Sequence, residues 1–431
     1  MKFKMGERFL LSTLSTAVAF CLFSSSALAK NTYLHDILRD KSNPATLEEI
    51  ERVLSRRPEW IHEEDDEKLT PLSCAIRYDA DLKIIEFLME RTKAPIQADK
   101  CTEVKQLPIV PSYSVTPLHI AIEREDLKLI DLLFKNGLAE KCFIDGQYSP
   151  LHLAVERNNL KLMRLLLGKG VDIDCKDEKA VTPLHIAVKN NCLDAAKFLV
   201  ENKSDIDCRN LDGTTPLHLA ALNGYLDIAK FLVENGADVN CVDVKGRSPL
   251  YKASVRGHFE VAQFLIENYS FVGFKDLQGY TPLHAVSQNG DVKLAQLLVD
   301  NGAKIDAKDN GGQTPLHWAA KEGRLEFLKF LIGKGADVNL KDNNYVNTPL
   351  HVSVQNGRLK IVKYLMESGK YSISGIKHPA VAPKAASSGG FDGFGQSGSV
   401  ATISIDDLLR IAVDNKRWDV AQYLSSLKIV K

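Results

Sequence analysis

The triplet Thr/Ser-Pro-Leu recurs along the chain with its proline at 71, 117, 150, 183, 216, 249, 282, 315 and 349. The intervals are 46, then 33 six times, then 34. A fixed period in this range excludes a set of unrelated globular domains. It requires a stack of like units, each too small to bury its own apolar surface. One period shows the local physics. Thr215 is suited to cap a helix, and Pro216 fits the first helical position, where its missing N–H costs nothing. Leu217, Ala220 and Ala221 fall at helical spacing and make a thin apolar face that a second helix can approach closely. Gly224 supplies the left-handed residue that ends the first helix. Leu226–Val233 reads as a second amphipathic helix stopped at Asn235-Gly236. Ala237–Cys241 then reads as an extended arm leading to a projecting turn at Lys245-Gly246.

These residues resemble the ankyrin repeat. The opening Thr-Pro-Leu-His-x-Ala is carried by 115–121, 181–187, 214–221, 280–286, 313–320 and 347–352. The ending Gly-Ala-Asp-Val-Asn stands at 236–240 and 335–339. The resemblance implies an all-α ankyrin-repeat solenoid of helix-turn-helix units with projecting β-hairpin loops. About nine repeats are expected over 69–370, with a degenerate N-terminal cap at 30–68 and C-terminal capping helices at 404–431. Two connections are irregular. One is an enlarged hairpin at 92–114; the other is a stretch rich in Gly, Ser, Ala and Pro at 371–403, whose composition predicts a flexible loop.

The first residues obey different rules. Lys2, Lys4 and Arg8 precede the apolar run 9–23, and Ala27-Leu28-Ala29 follows it. That order predicts a cleaved signal peptide at 1–29. The run is too short for a membrane span, which needs roughly 18–20 residues. The mature chain is therefore expected to be exported, periplasmic or secreted, and free of the membrane after cleavage. The 431 residues balance 55 Lys+Arg against 55 Asp+Glu. Loss of the leader removes three cations and the anion Glu7, leaving −2, so the basic excess of a nucleic-acid binder is missing. A monomer is expected.

Candidate chemistry fails residue by residue. Seven of the eleven histidines (119, 152, 185, 218, 284, 317, 351) occupy one slot of the repeat. That slot predicts a hydrogen-bonding strut at the helix N-terminus. Stacked helices about 8–10 Å apart are too distant for neighbouring rings to share a metal held at about 2 Å. Cys142, Cys175, Cys208 and Cys241 form a second ladder at intervals of 33, too widely spaced for disulfides and better suited to small buried apolar side chains. No nucleophile elbow, zinc-binding His-Glu-x-x-His or phosphate-binding loop is present. No cofactor, metal or catalytic residue is expected.

The resemblance instead implies a non-enzymatic interaction scaffold that holds a protein partner on its concave face. Two columns of the repeat vary while the scaffold does not. The residue before the capping Thr/Ser gives Tyr148, Val181, Thr214, Arg247, Tyr280 and Gln313. The end of the first helix gives Arg157, Lys189, Asn223, Arg256, Gln288 and Lys321. Arginine and tyrosine are favoured at interface hot spots, so Tyr148, Arg247, Arg256 and Tyr280 lead. Read with the leader, the array fits an exported bacterial protein, acting either as a periplasmic scaffold or as an effector on a host protein. A eukaryotic secretory or membrane-tethered ankyrin protein, and an enzyme or toxin with its activity hidden in the 370–404 loop or the caps, are the competing readings.

Overall fold

The computed structural model describes residues 33–42, 44–65, 69–92, 117–137, 149–344, 347–368, 371–374 and 402–428. The leader, most of the enlarged hairpin, Tyr148, Cys101 and Cys142 lie outside the described residues. The chain divides into two units, Met1–Glu178 and Lys179–Lys431. Each is built of paired antiparallel helices.

In the first unit, Tyr33–Arg39 and Leu47–Arg56 are followed by a short 3-10 turn, Pro58–His62. Three helix pairs come next: Pro71–Arg77 with Leu82–Thr92, Pro117–Glu123 with Leu127–Lys135, and Pro150–Glu156 with Leu160–Gly168. The first two helices dock on this stack through fully buried Leu34 and Ile50. His35 Nε2 donates to the Leu69 carbonyl at 2.8 Å. The guanidinium of Arg39 pairs with Asp65 at 2.7 Å, tying the entry to the next segment.

The second unit repeats one pair six times. First helices start at Pro183, Pro216, Pro249, Pro282, Pro315 and Pro349, and second helices at Leu193, Leu226, Phe259, Val292, Leu325 and Leu359. A further pair, Ile405–Asp414 and Trp418–Leu427, covers the last of them. Thr215 caps the helix Pro216–Asn223, and Gly224 closes it at φ +75°. Leu217, Ala220, Ala221, Ile228, Ala229 and Leu232 are fully buried. The alanines let the helices of one repeat and the next approach closely, and burial of the leucines supplies the apolar driving force.

Successive repeats are also tied by polar bonds that point one way. The carbonyls at the end of a first helix lack helical partners, and in several repeats the following unit supplies the donor. His258 Nε2 reaches the Leu222 carbonyl at 3.0 Å, Arg324 Nε that of Gln288 at 2.9 Å, and Arg358 Nε that of Lys321 at 2.8 Å. The terminal pair completes the series, with Arg417 Nε on the Gln355 carbonyl at 3.0 Å.

The projecting arms differ from the sequence expectation in detail. They contain turns rather than regular strands: one backbone bond crosses each hairpin, as from Asp276 N to the Tyr280 carbonyl at 2.9 Å, and aspartate side chains bond N–H groups two to four residues on. Asp238 Oδ1 accepts the Asn240 N–H at 2.9 Å, which bends the arm instead of extending it. Tips are joined repeat to repeat by single backbone bonds, Leu277 N to the Lys245 carbonyl and Asn310 N to the Gln278 carbonyl, each 2.9 Å. Among the described residues the strands are Ser372–Ser374 and Thr402–Ser404, which pair in parallel. They bracket the Gly/Ser-rich stretch, most of which lies outside the described residues. No helix of the described residues is long and apolar enough to cross a membrane.

Candidate interaction surface

The histidine column is structural. Thr215 N–H and Oγ1 lie 3.2 and 2.9 Å from His218 Nδ1, and His218 Nε2 lies 2.8 Å from the Arg247 carbonyl of the next repeat. Because a backbone N–H can only donate, Nδ1 must accept, which leaves the proton on Nε2 for the carbonyl. His185, His284 and His317 repeat the bond to the carbonyls of Thr214, Gln313 and Asn347. Burial drives the His218 pKa down to about 4, so the strut is neutral. Each strut therefore fixes the backbone of a residue in the first variable column: Thr214, Arg247, Gln313. The scaffold holds the surface that varies.

The cysteine ladder sits against these struts. Cys208 and Cys241 Sγ lie 3.6 Å from the Nδ1 atoms of His185 and His218, and Cys175 Sγ lies 3.7 Å from that of His152. The pairing has the residue types of a nucleophilic dyad but the wrong electrostatics. Burial pushes the Cys175 and Cys241 thiols up to about 11, while it pushes the histidine down. Both partners stay neutral, and a neutral thiol is a poor nucleophile. Among the described residues no group of three or more His, Cys, Asp or Glu side chains could hold a metal.

In the second unit, the hairpins and first helices bring several variable residues together. Arg247 Nε lies 3.4 Å from Asp276 Oδ2, and its guanidinium covers the Tyr251 ring at 5.5 Å. Asp276 is a hub: its other oxygen accepts the N–H groups of Gln278 and Tyr280, both at 2.9 Å. Tyr280 stands edge-on to Trp318, centroids 4.9 Å apart at 78°. Trp318 Nε1 donates to Asp309 Oδ2 at 3.0 Å, and Lys321 Nζ lies 5.1 Å from the Trp318 ring centre. Lys252 Nζ meets Asp243 at 2.6 Å. Burial opposes ionisation of Asp243, but hydrogen bonds from Lys252 and the Arg247 N–H hold its carboxyl below the usual range. Burial, then Asp276, pushes the Tyr251 hydroxyl up to about 12; Tyr280 is raised too, by burial and Asp309.

Arg247, Tyr280, Gln313 and Lys321 are thus brought to one stretch of the second unit. Val181 and Thr214 are half-buried on earlier hairpins, and Lys189, Asn223, Arg256 and Gln288 are exposed at helix ends. Asn223 folds back onto the Leu219 carbonyl at 2.9 Å. Arg157, in the first unit, is exposed but donates to the Glu123 carbonyl at 2.9 Å, which ties it to the preceding repeat. Arg247 departs most from a freely presented anchor. Its partner carboxylate is fully buried, so the arginine serves packing as well as surface.

Two further columns line this stretch beyond those read from the sequence, the first of them half-buried at Leu219, Lys252 and Trp318 and buried at Ala285. One is the residue after the strut: Leu219, Lys252, Ala285 and Trp318. The other is the arm tip, where Leu211, Val244 and Leu277 are 69, 56 and 66% exposed. The signal was the same variation within a fixed register.

Overlapping matches to the family pattern "Ankyrin repeats (3 copies)" run over 96–177, 118–210, 151–243, 184–276, 238–309, 270–342 and 309–374, well over half the chain. The chain belongs to the ankyrin-repeat family. Among solved structures, the ankyrin repeat domain of Bcl-3, a unique member of the IkappaB protein family, is 28% identical. The match covers 48% of this chain and 93% of that one, with a TM-score of 0.44. No curated protein matches. Ankyrin repeats are protein–protein interaction domains, and family membership assigns this chain that general role.

Proposed function

We propose that the chain is an exported scaffold that binds a protein partner on the concave face of its second unit, centred on Arg247, Tyr280, Trp318 and Lys321. The observation that carries this reading is the edge-on Tyr280–Trp318 pair, with Lys321 over the indole, on columns that vary while the core does not. Rigid aromatic area combined with a cation is the composition of a binding hot spot. Export rests on the basic, apolar and small-residue order of residues 1–29. No enzymatic role is proposed.

The test compares wild type with Tyr280→Ala/Lys321→Ala in affinity capture, from bacterial envelope extract and separately from host-cell lysate. Arg247 is left in place, because its loss would strand the buried Asp276 carboxylate. The double variant should fold normally and bind its partner more weakly by about 2 kcal/mol or more. Equal recovery of the same partner by both proteins would move the site elsewhere. A partner found only in host lysate favours the effector reading.

A further inference from the structure

One repeat of the second unit breaks the pattern its neighbours share. Where they read Asn-Gly-Ala-Asp-Val-Asn-Cys (235–241) and Asn-Gly-Ala-Lys-Ile-Asp-Ala (301–307), this one reads Asn268-Tyr269-Ser270-Phe271-Val272-Gly273-Phe274. The departures have costs. Tyr269 takes the left-handed slot at φ +67°, which the flanking repeats fill with Gly236 and Gly302 at +97° and +90°. A side chain with Cβ is disfavoured there. Tyr269 and Phe271 are 90 and 60% exposed.

Four of the five substitutions relative to 235–241 fit one another. A Cβ on Gly273 would stand 3.1 Å from Phe271 Cζ, so the glycine makes room for that ring. Phe274, in the cysteine slot, meets Phe271 edge-on with centroids 5.9 Å apart. From the preceding repeat, Asn240 Oδ1 accepts the Phe271 N–H at 2.9 Å and its Nδ2 donates to the Tyr269 carbonyl at 3.2 Å. Beyond Tyr269, Gly236 and Gly302 offer no side chain, so its ring stands clear of both neighbouring loops. The result is two exposed aromatics whose backbone is held by Asn240, with the Phe271 ring braced by Phe274, on the return loops rather than on the first-helix columns.

The surrounding charge is one-sided. Segments 201–207, 234–240 and 267–273 carry Glu201, Asp205, Asp207, Glu234, Asp238 and Glu267 against the single cation Lys203. The loop beyond, 300–306, carries Asp300 and Asp306 against Lys304, which holds the slot of Phe271. Asp207 accepts the Asp238 N–H with both oxygens, and burial together with the charges of Asp238 and Asp205 raises its carboxyl. Exposed aromatic faces among carboxylates suit a cationic side chain with an aliphatic stem, which ring quadrupole and carboxylate attract together. An acidic segment or a nucleic acid would be repelled.

We propose that Tyr269 and Phe271 form a second docking surface, independent of the concave face, for a basic segment of a partner protein in which Arg or Lys alternates with apolar residues.

The decisive variant restores the residues of the preceding repeat at these two slots, Gly236 and Asp238. Tyr269→Gly/Phe271→Asp relieves the left-handed tyrosine and makes the loop more acidic, so neither misfolding nor lost charge can explain a loss of binding. The full chain is titrated into a fluorescein-labelled peptide of alternating Arg and Leu, with a peptide of alternating Glu and Leu as control. Wild type should bind the basic peptide saturably and less tightly as salt rises. The double variant should bind about tenfold or more weakly while melting at or above the wild-type temperature. Tyr280→Ala/Lys321→Ala should bind the peptide like wild type, which separates this surface from the concave one. Three results would overturn the proposal: no saturable binding by wild type, equal binding by the double variant, or equal affinity for the acidic peptide.

Discussion

Replacing His218 with glutamine should flatten the acid dependence of folding by a calculable amount. In the native state this ring accepts two hydrogen bonds at Nδ1 and is fully buried, so protonation costs both a bond and solvation. The unfolded side chain titrates at 6.5 and the folded one at about 4. A folded value below the unfolded one means that the unfolded chain binds the proton more tightly. Stability is therefore fully present above about pH 6.5 and is lost as pH falls toward 4. Between about pH 8 and 5 the linkage relation gives a loss of about 2 kcal/mol from this residue, rising to roughly 3 below its folded value. His284, His317 and His351 are lowered by burial as well and add to the slope. Asp207 and Asp306 are raised by burial and act in the opposite sense near the acid end, but they cancel in a comparison of variants. Glutamine at this position can complete a Thr-x-x-Gln capping box without titrating. His218→Gln should cost about 1 kcal/mol at neutral pH for the lost bond to the Arg247 carbonyl. It should also remove about 2 kcal/mol from the stability difference between pH 8 and 5. Urea unfolding followed by circular dichroism at a series of pH values measures both. A pH slope unchanged within about 0.5 kcal/mol would show that the ring is already charged, or wet, in the native state.

Two other outcomes test the scaffold. Gly279→Ala should destabilise by about 2 kcal/mol or more in thermal or urea unfolding, because the position has φ +81° and a Cβ would stand 2.7 Å from the Asn310 backbone nitrogen of the next arm; a neutral change would mean that the arms are not in contact. Cys175 and Cys241, with thiols near 11, should react slowly with a maleimide reagent at neutral pH until denaturant is added; rapid native labelling would contradict their burial.

The repeat, its caps and its struts were legible because each is a local necessity: Thr215, Pro216, His218 and Gly224 do their work within one turn of helix or one neighbouring unit. The turn-like arms were not, since the Asp238 side chain bends the backbone through the Asn240 N–H and periodicity does not distinguish a bent arm from an extended one. The double role of Arg247 was hidden for another reason. Its counter-charge Asp276 lies 29 residues away and becomes a neighbour only through stacking. Trp318 was visible as a variation, but its value comes from Tyr280 one repeat earlier. Tyr269 and Phe271 could have been noticed as departures from a pattern; their exposure could not.

The one-way bonds between repeats bear on how such a chain can change length. His258, Arg324 and Arg358 stand at one register of the repeat and their acceptors at another, so excision of residues 216–248 would carry His258 to the carbonyl of Lys189, the counterpart of Leu222 one unit earlier. Duplication of the same segment would likewise leave each arginine and histidine facing an equivalent carbonyl. Gains or losses of whole units are thus nearly silent in hydrogen-bonding terms, and so is an extra residue in an arm: the 34-residue interval from Pro315 to Pro349 leaves Arg358 on the Lys321 carbonyl. Such a stack can therefore be lengthened or shortened by whole repeats without leaving these donors unpartnered, Arg417 on the Gln355 carbonyl included.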